Sequence, residues 1–185
     1  MECVLALTLG VIVLAPVTMA FKVSLSGWEE TYKHDELLNH ARMAMARMVS
    51  DLRYAVTILQ ADSATHSYLE FTTRNLLDDT WDAETLMFYR TNGNPVLYRR
   101  VVEGEGAHLI GSKLAGLNTT EGIIQVDAFE ITPLKKATSG DPILLDTSGG
   151  DTLDMTVAVQ MALTMSDTES GDSVTVTSVA KLRNR

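Results

Sequence analysis

The chain has 185 residues, a length that allows one domain with a sizeable core and at most one further element. Its formal net charge of -9 argues against a broad phosphate-binding surface, so direct nucleic-acid binding by the whole domain is not expected. The single cysteine, Cys3, cannot form a disulfide within the chain, so no disulfide framework holds the fold.

The N-terminal segment is almost wholly apolar, whereas the remainder has the composition of a soluble domain. Residues 3–21 are 19 consecutive residues without a charge, about the length that a helix needs to cross the hydrocarbon core of a membrane. No lysine or arginine precedes Cys3, so the segment lacks the basic start of a removable signal peptide. It predicts a retained membrane-spanning helix, in a processed chain whose basic leader has been removed.

Glu2 stands at the head of this apolar segment. A carboxylate next to hydrocarbon is costly unless it meets a cation. In a polymer, the α-ammonium group of one subunit would neutralise Glu2 of its neighbour and fix the axial register. The alternative is that Glu2 lies in the lipid headgroup region.

Gly10 and Pro16 make residues 10–16 the weakest part of the predicted helix. Proline removes one backbone hydrogen bond and crowds the preceding turn, and glycine has a low helix propensity. Local loss of helix and a simple kink are both compatible with this pattern.

The chain opens with Met1-Glu2-Cys3-Val4-Leu5-Ala6-Leu7, which resembles the N-terminal motif of type IV pilins and type II secretion pseudopilins. In that family the glutamate is the fifth residue of the mature chain, after a methylated phenylalanine, whereas here it is the second, which leaves the processing site open. The resemblance implies a filament subunit that assembles through the N-terminal helix. The expected assembly residues are Glu2, Leu5, Leu9, Gly10, Pro16 and Phe21.

The same resemblance implies the partners of the chain. They are further copies of itself in a helical homopolymer, a prepilin peptidase and an inner-membrane assembly platform. The subunit would wait in the inner membrane and then join an extracellular filament at the cell surface. Two alternatives stay open: a minor pilin or type II secretion pseudopilin at a filament tip, and a monomeric membrane-anchored binding domain.

A second apolar pattern predicts that the helix continues to about Gln60. Apolar residues recur at spacings of three and four, at Ala41, Met45, Met48, Leu52, Ala55 and Leu59. The nearby methionines Met43, Met45 and Met48 are interpreted as core filling. A helix over residues 1–60 would be about 90 Å long, and one small domain can cover only its second half. The first half must then contact lipid or other copies of itself.

Beyond residue 66 the period changes to two, which predicts strands at residues 68–73, 85–90, 96–102 and 123–132, with a turn at 92–95. Residues 109–117 are compatible with helix or strand. The clearest hairpin alternates from Leu153 to Met165 and returns from Val174 to Leu182, with an acidic loop at 166–172.

The predicted fold class is therefore α+β, with a long N-terminal hydrophobic helix packed on an antiparallel β-sheet. Residues 1–24 would form the membrane-spanning or filament-core half of the helix, residues 25–60 its amphipathic second half, and residues 61–185 the sheet domain.

Catalysis, cofactor binding and metal binding are not expected. The four histidines are scattered, and the acidic residues near 78–84 and 167–172 do not follow the spacing of a calcium loop. Arg99 and Arg100 are interpreted, with Asp51 and other acidic residues, as part of a solvated, salt-bridged face. The chain is predicted to be a structural protein and not an enzyme.

Overall fold

The computed structural model describes residues 2–62, 67–74, 83–91, 94, 96–102, 110–116, 124–137, 139–146 and 149–182, without the side chains of 2–9, 11, 12, 74, 83, 102 and 110–115. Helix α1 is Glu2–Arg53. The strands are β1 (Ala55–Asp62), β2 (Ser67–Arg74), β3 (Ala83–Arg90), β4 (Leu97–Val102), β5 (Ile110–Ala115), β6 (Ile124–Lys135), β7 (Ile143–Leu144), β8 (Thr156–Asp167) and β9 (Ser173–Lys181). The chain divides into two compact units, Met1–Glu36 and Leu37–Arg185.

The strands form two antiparallel sheets, in the orders β1-β2-β3-β4-β5 and β7-β6-β8-β9. The α+β class, with a long N-terminal helix packed on antiparallel strands, is confirmed, although there are two sheets where one was predicted. The four predicted strands correspond to β2, β3, β4 and β6, and the undecided residues 109–117 contain β5. Of the predicted turn at 92–95, only Asn94 lies within the described residues. Its N–H donates to the Thr91 carbonyl at 2.9 Å.

The predicted end of the helix near Gln60 is wrong, because α1 ends at Arg53 and Ala55–Asp62 is strand β1. The pairing of β1 with β2 shifts register twice, between Ala55 and Thr57 and between Ile58 and Gln60. Each shift inserts an extra residue and moves the buried positions along the strand. Ala55 and Ile58 are therefore both buried, three residues apart, which imitates the period of a helix.

The start of the C-terminal hairpin also differs from the prediction. Alternating burial holds from Val159 to Asp167, but residues 153–155 form a short 3-10 helix and Met155 is exposed. A register shift between Leu134 and Lys135 in β6 leaves one extra residue in β8. The alternation is therefore broken between Ala158 and Val159, which are both buried, so Thr156 and not Val157 is the next buried position.

One hydrophobic core joins the helical residues of the second unit to both sheets. The helix contributes residues at spacings of three and four, namely Leu37, Ala41, Ala44, Met45, Met48 and Leu52. Phe71 and Phe88 from the first sheet pack with ring centroids 5.2 Å apart, and Phe129 comes from the second sheet. Met43 was interpreted as core filling, but it is exposed because it lies off this apolar face.

Two arginines connect the elements around this core. The Arg99 Nε of β4 donates to the Asp51 carboxylate near the end of α1 at 2.7 Å, and both side chains are largely buried. The Arg90 Nε of β3 donates to the Val126 carbonyl of β6 at 3.1 Å and so links the two sheets. Burial lowers the pKa of Arg90, while nearby Asp127 acts in the opposite direction.

The corrected end of α1 at Arg53 can be tested with two leucines of the predicted apolar stripe, Leu52 before it and Leu59 after it. Leu52 is 0% exposed and Leu59 is 46% exposed. We expect Leu52→Ala to lower the free energy of unfolding by roughly 2–5 kcal/mol, because it leaves a cavity in the core. Leu59→Ala should cost less than about 1 kcal/mol. Chemical denaturation of the full chain in detergent measures both, and equal losses would contradict the strand assignment of β1.

A compact loop follows β7 and depends on Asp151. Its carboxylate accepts hydrogen bonds from the Lys135 ammonium at 2.5 Å and from the Asp146 N–H at 2.7 Å. The Gly149 N–H donates to the Asp146 side chain at 3.0 Å. The Lys135 hydrogen bond, and then that of Asp146, hold the pKa of the Asp151 carboxyl below its ordinary value.

This lowered pKa predicts how the loop responds to acid. Because the carboxylate is favoured in the folded state, its contribution to stability is present above the unfolded pKa of about 3.9 and is lost as pH falls through the folded value. We expect Asp151→Asn to lower the Tm at pH 7, with a difference from the wild type that shrinks below about pH 4. Thermal unfolding from pH 3 to 7 measures this, with Asp141→Asn at an exposed position as the control. A difference that does not change with pH would contradict the ionic role of Asp151.

Candidate assembly surface of the N-terminal helix

The first unit is helical and exposes its apolar side chains. Every side chain from residue 13 to residue 32 is exposed in the single chain. Nine of them are large and apolar or aromatic: Val13, Leu14, Val17, Met19, Phe21, Val23, Leu25, Trp28 and Tyr32. Contiguous apolar patches of this kind mark interaction sites with protein or lipid.

Six of these side chains lie on one face of the helix, at spacings of three and four residues. We call this face the apolar seam, and it consists of Leu14, Val17, Phe21, Leu25, Trp28 and Tyr32. Its aromatic side chains protrude and leave two open grooves between them. Phe21, Ser24, Leu25 and Trp28 line the first groove, and Trp28, Thr31, Tyr32 and Asp35 line the second.

Three hydroxyl groups of this segment donate to carbonyls of the helix itself. Thr18 donates to the Leu14 and Ala15 carbonyls at 3.0 and 2.9 Å. Ser26 donates to the Val23 carbonyl at 3.0 Å, and Thr31 to the Gly27 carbonyl at 2.8 Å. Because these donors are satisfied within the helix, their side chains can enter an apolar environment at little cost.

Six residues were predicted for assembly, and all lie on α1. The side chains of Glu2, Leu5 and Leu9 are outside the described residues, so the ion pair proposed for Glu2 stays a prediction. A Cβ at Gly10 would meet nothing within 4 Å, so the single chain does not require glycine there. Pro16 lies inside the continuous helix and is exposed.

Phe21, the last of the predicted residues, is 68% exposed and belongs to the apolar seam. The predicted assembly residues end there, but the seam continues through Leu25, Trp28 and Tyr32, and Trp28 is 79% exposed. The available signal was the spacing of these residues. This spacing was missed because Lys22, Glu29 and Glu30 interrupt the apolar run of the sequence, although they lie outside the helix face that forms the seam.

Within the part of the chain that the structure describes, no helix is both long and apolar enough to cross a membrane. The membrane span over residues 3–21 stays a prediction.

The acidic residues considered as metal ligands give no site in the described ranges. Residues 75–82, which hold most of the first cluster, lie outside them. In the second cluster, Asp167 is buried and its carboxylate accepts the Glu169 N–H at 2.8 Å. Asp167 therefore closes the turn between β8 and β9. Among the described side chains, no three of His, Cys, Asp or Glu are grouped to hold a metal ion.

Comparisons with known proteins connect this architecture to one class of fold. No protein-family model and no curated protein sequence matches the chain. Among solved structures, a type IV-like pilin from Thermus thermophilus is similar with a TM-score of 0.53 and 12% sequence identity, over 80% of this chain and 97% of that chain. At this identity the likeness concerns the fold alone. The chain therefore has a type IV pilin-like fold, with a long N-terminal helix packed on antiparallel sheets.

Proposed function

We propose that this chain is the structural subunit of an extracellular type IV pilus-like filament, and that it assembles through its N-terminal helix. The observation that carries the proposal is the exposed apolar seam in a chain with a pilin-like fold. Burying one large apolar side chain contributes about 1.5–3 kcal/mol, so leaving the seam in water is unfavourable. Seams of neighbouring copies would cover one another in the filament core.

Before assembly, the same helix would lie in the inner membrane. The uncharged residues 3–21 have the length for this, and the internally bonded hydroxyl of Thr18 suits an apolar environment. By resemblance to pilins, a prepilin peptidase would remove a leader and an assembly platform would extract the subunit. Lipid is as apolar as the filament core, so the transfer needs close packing and the Glu2 ion pair to favour the filament.

The non-enzymatic role of the chain is part of the same proposal. A filament subunit needs a surface that binds neighbouring copies and a stable outer domain. Helix α1 would supply the first, and the two sheets would form the second. Its partners would be other copies of itself.

A charge on the apolar seam tests the role of this face in assembly. We expect Phe21→Asp to reduce the yield of sheared filaments at least tenfold, because an uncompensated carboxylate in the filament core is costly. Ser26→Asp is the matched control, since it introduces the same charge on the same helix away from the seam. Electron microscopy and immunoblotting of sheared and membrane fractions measure the yield. Equal yields from both variants, at equal levels of subunit, would contradict the role of the seam.

Replacement of Glu2 tests the predicted pairing with the neighbouring N-terminus. We expect Glu2→Ala to abolish filaments or to change their helical register, since the terminal ammonium would lose its partner. Glu29→Ala, which removes an exposed carboxylate further along α1, should leave assembly unchanged. Normal filaments from Glu2→Ala would count against the ion pair while leaving the role of the seam open to its own test.

Fractionation of the source cells separates the proposed subunit from its alternatives. Regular sheared filaments made mainly of this chain, with a methylated N-terminal residue by peptide mass spectrometry, support the proposal. A trace amount at filament ends indicates a minor pilin or pseudopilin. Recovery only from membranes indicates a monomeric anchored protein and overturns the filament proposal.

A further inference from the structure

The outer face of the first sheet carries a row of three tyrosines. Tyr68 of β2 pairs with Tyr89 of β3, and Tyr89 pairs with Tyr98 of β4, so the three occupy one register across adjacent strands. The neighbouring row, Leu69 and Phe88, is buried in the core. Side chains alternate between the faces of a strand, so the tyrosines lie on the face away from the core. All three are half-buried.

Arg100 lies on the same outer face and covers part of this row. The ring centroids of Tyr89 and Tyr98 are 5.3 Å apart, with an angle of 21° between the ring planes. The guanidinium carbon of Arg100 lies 3.8 Å from the Tyr89 centroid and 5.7 Å from that of Tyr98. The two phenol rings stack on each other and the guanidinium lies over the Tyr89 ring, and we call this cluster the Tyr–Arg platform.

Arg100 differs from Arg90 and Arg99 in having no ion pair or side-chain hydrogen bond among the described residues. Arg99 is paired with Asp51, and Arg90 donates to the Val126 carbonyl. The Arg100 Nε is shielded from water and makes no hydrogen bond among the described residues. Burial lowers the pKa of Arg100. Within the described residues, the partly desolvated guanidinium of Arg100 is compensated by the faces of the tyrosine rings and not by an anion, so it can still accept an anionic ligand.

Glu70 is the acidic residue in the same register row as Arg100, through Met87. It lies two strands away, and no ion pair joins it to Arg100 in the described part of the chain. Among the described side chains, the platform therefore presents the Arg100 cation beside aromatic rings.

We propose that the Tyr–Arg platform binds a carboxylate-bearing sugar unit of a carbohydrate. The guanidinium plane is complementary to a carboxylate and can donate two parallel hydrogen bonds to it. The faces of the tyrosine rings carry negative charge density and attract the C–H groups of a sugar ring, while the phenol hydroxyls can bond sugar hydroxyls. The net charge of -9 disfavours nucleic acid, which needs several phosphate contacts. This inference does not rest on the proposed filament.

The test uses the full chain in micelles of a detergent without a sugar headgroup. The probe is tetragalacturonate, and its methyl ester is the uncharged control. We expect saturable binding of the acid by calorimetry, with an affinity at least tenfold lower for the ester. Arg100→Gln should reduce the affinity for the acid at least tenfold, because it removes the charge and the bidentate donor. Arg53→Gln, at an exposed arginine of α1, should leave it unchanged.

Several outcomes would overturn the inference. These are absence of saturable binding by the wild type, equal affinity for acid and ester, and equal affinity of wild type and Arg100→Gln. Tighter binding of a thymidine oligonucleotide than of tetragalacturonate would replace the carbohydrate with single-stranded nucleic acid. The acid and ester comparison uses the wild type alone, so a variant that fails to fold does not prevent the test.

Discussion

Apolar helix surface must be removed from water, and α1 meets this requirement differently along its length. From Leu37 to Leu52, buried side chains at helical spacing belong to one core with residues of both sheets. From Val13 to Tyr32, large apolar side chains are exposed in the single chain. The first stretch is covered by folding, whereas the second would be covered by the association proposed above, with lipid or with protein. The pilin-like fold combines both solutions in one helix.

Much of the fold follows from the periodicity of apolar residues, and the errors have physical causes. Four buried residues of α1 and the strands β2, β3, β4 and β6 were predicted because each keeps one regular period. The helical residues are Ala41, Met45, Met48 and Leu52. Strand β1 and the start of β8 were mistaken where register shifts displace the buried positions. A bulge depends on the partner strand, so the local sequence cannot reveal it. For the same reason, the division into two sheets did not follow from the pattern of strands.

The candidate surfaces were predictable to different degrees. Glu2 and the uncharged run after it are visible in the sequence, because a charge at the edge of an apolar segment is a local feature. The extension of the seam to Trp28 and Tyr32 is visible only in the spacing of apolar residues along one helix face, because the overall composition of that stretch is not apolar. Arg99 and Arg100 were assigned together to a salt-bridged face, and the structure pairs only Arg99 with Asp51. Neighbouring residues of a strand point to opposite faces of the sheet. The residues that each face contacts are therefore known only once the neighbouring strands are known.

The order of the strands has a consequence for the growing chain. In the first sheet every strand pairs with its neighbour in sequence, so hairpins can form as soon as each turn has been synthesised. The core, however, unites Leu37 near its beginning with Leu182 near the end of the chain. The apolar face of α1 is thus among the first parts of this core to be made, and the core is complete only after Leu182 has been added. Until then this apolar face is prone to aggregation, which binding to a membrane surface or a chaperone can prevent.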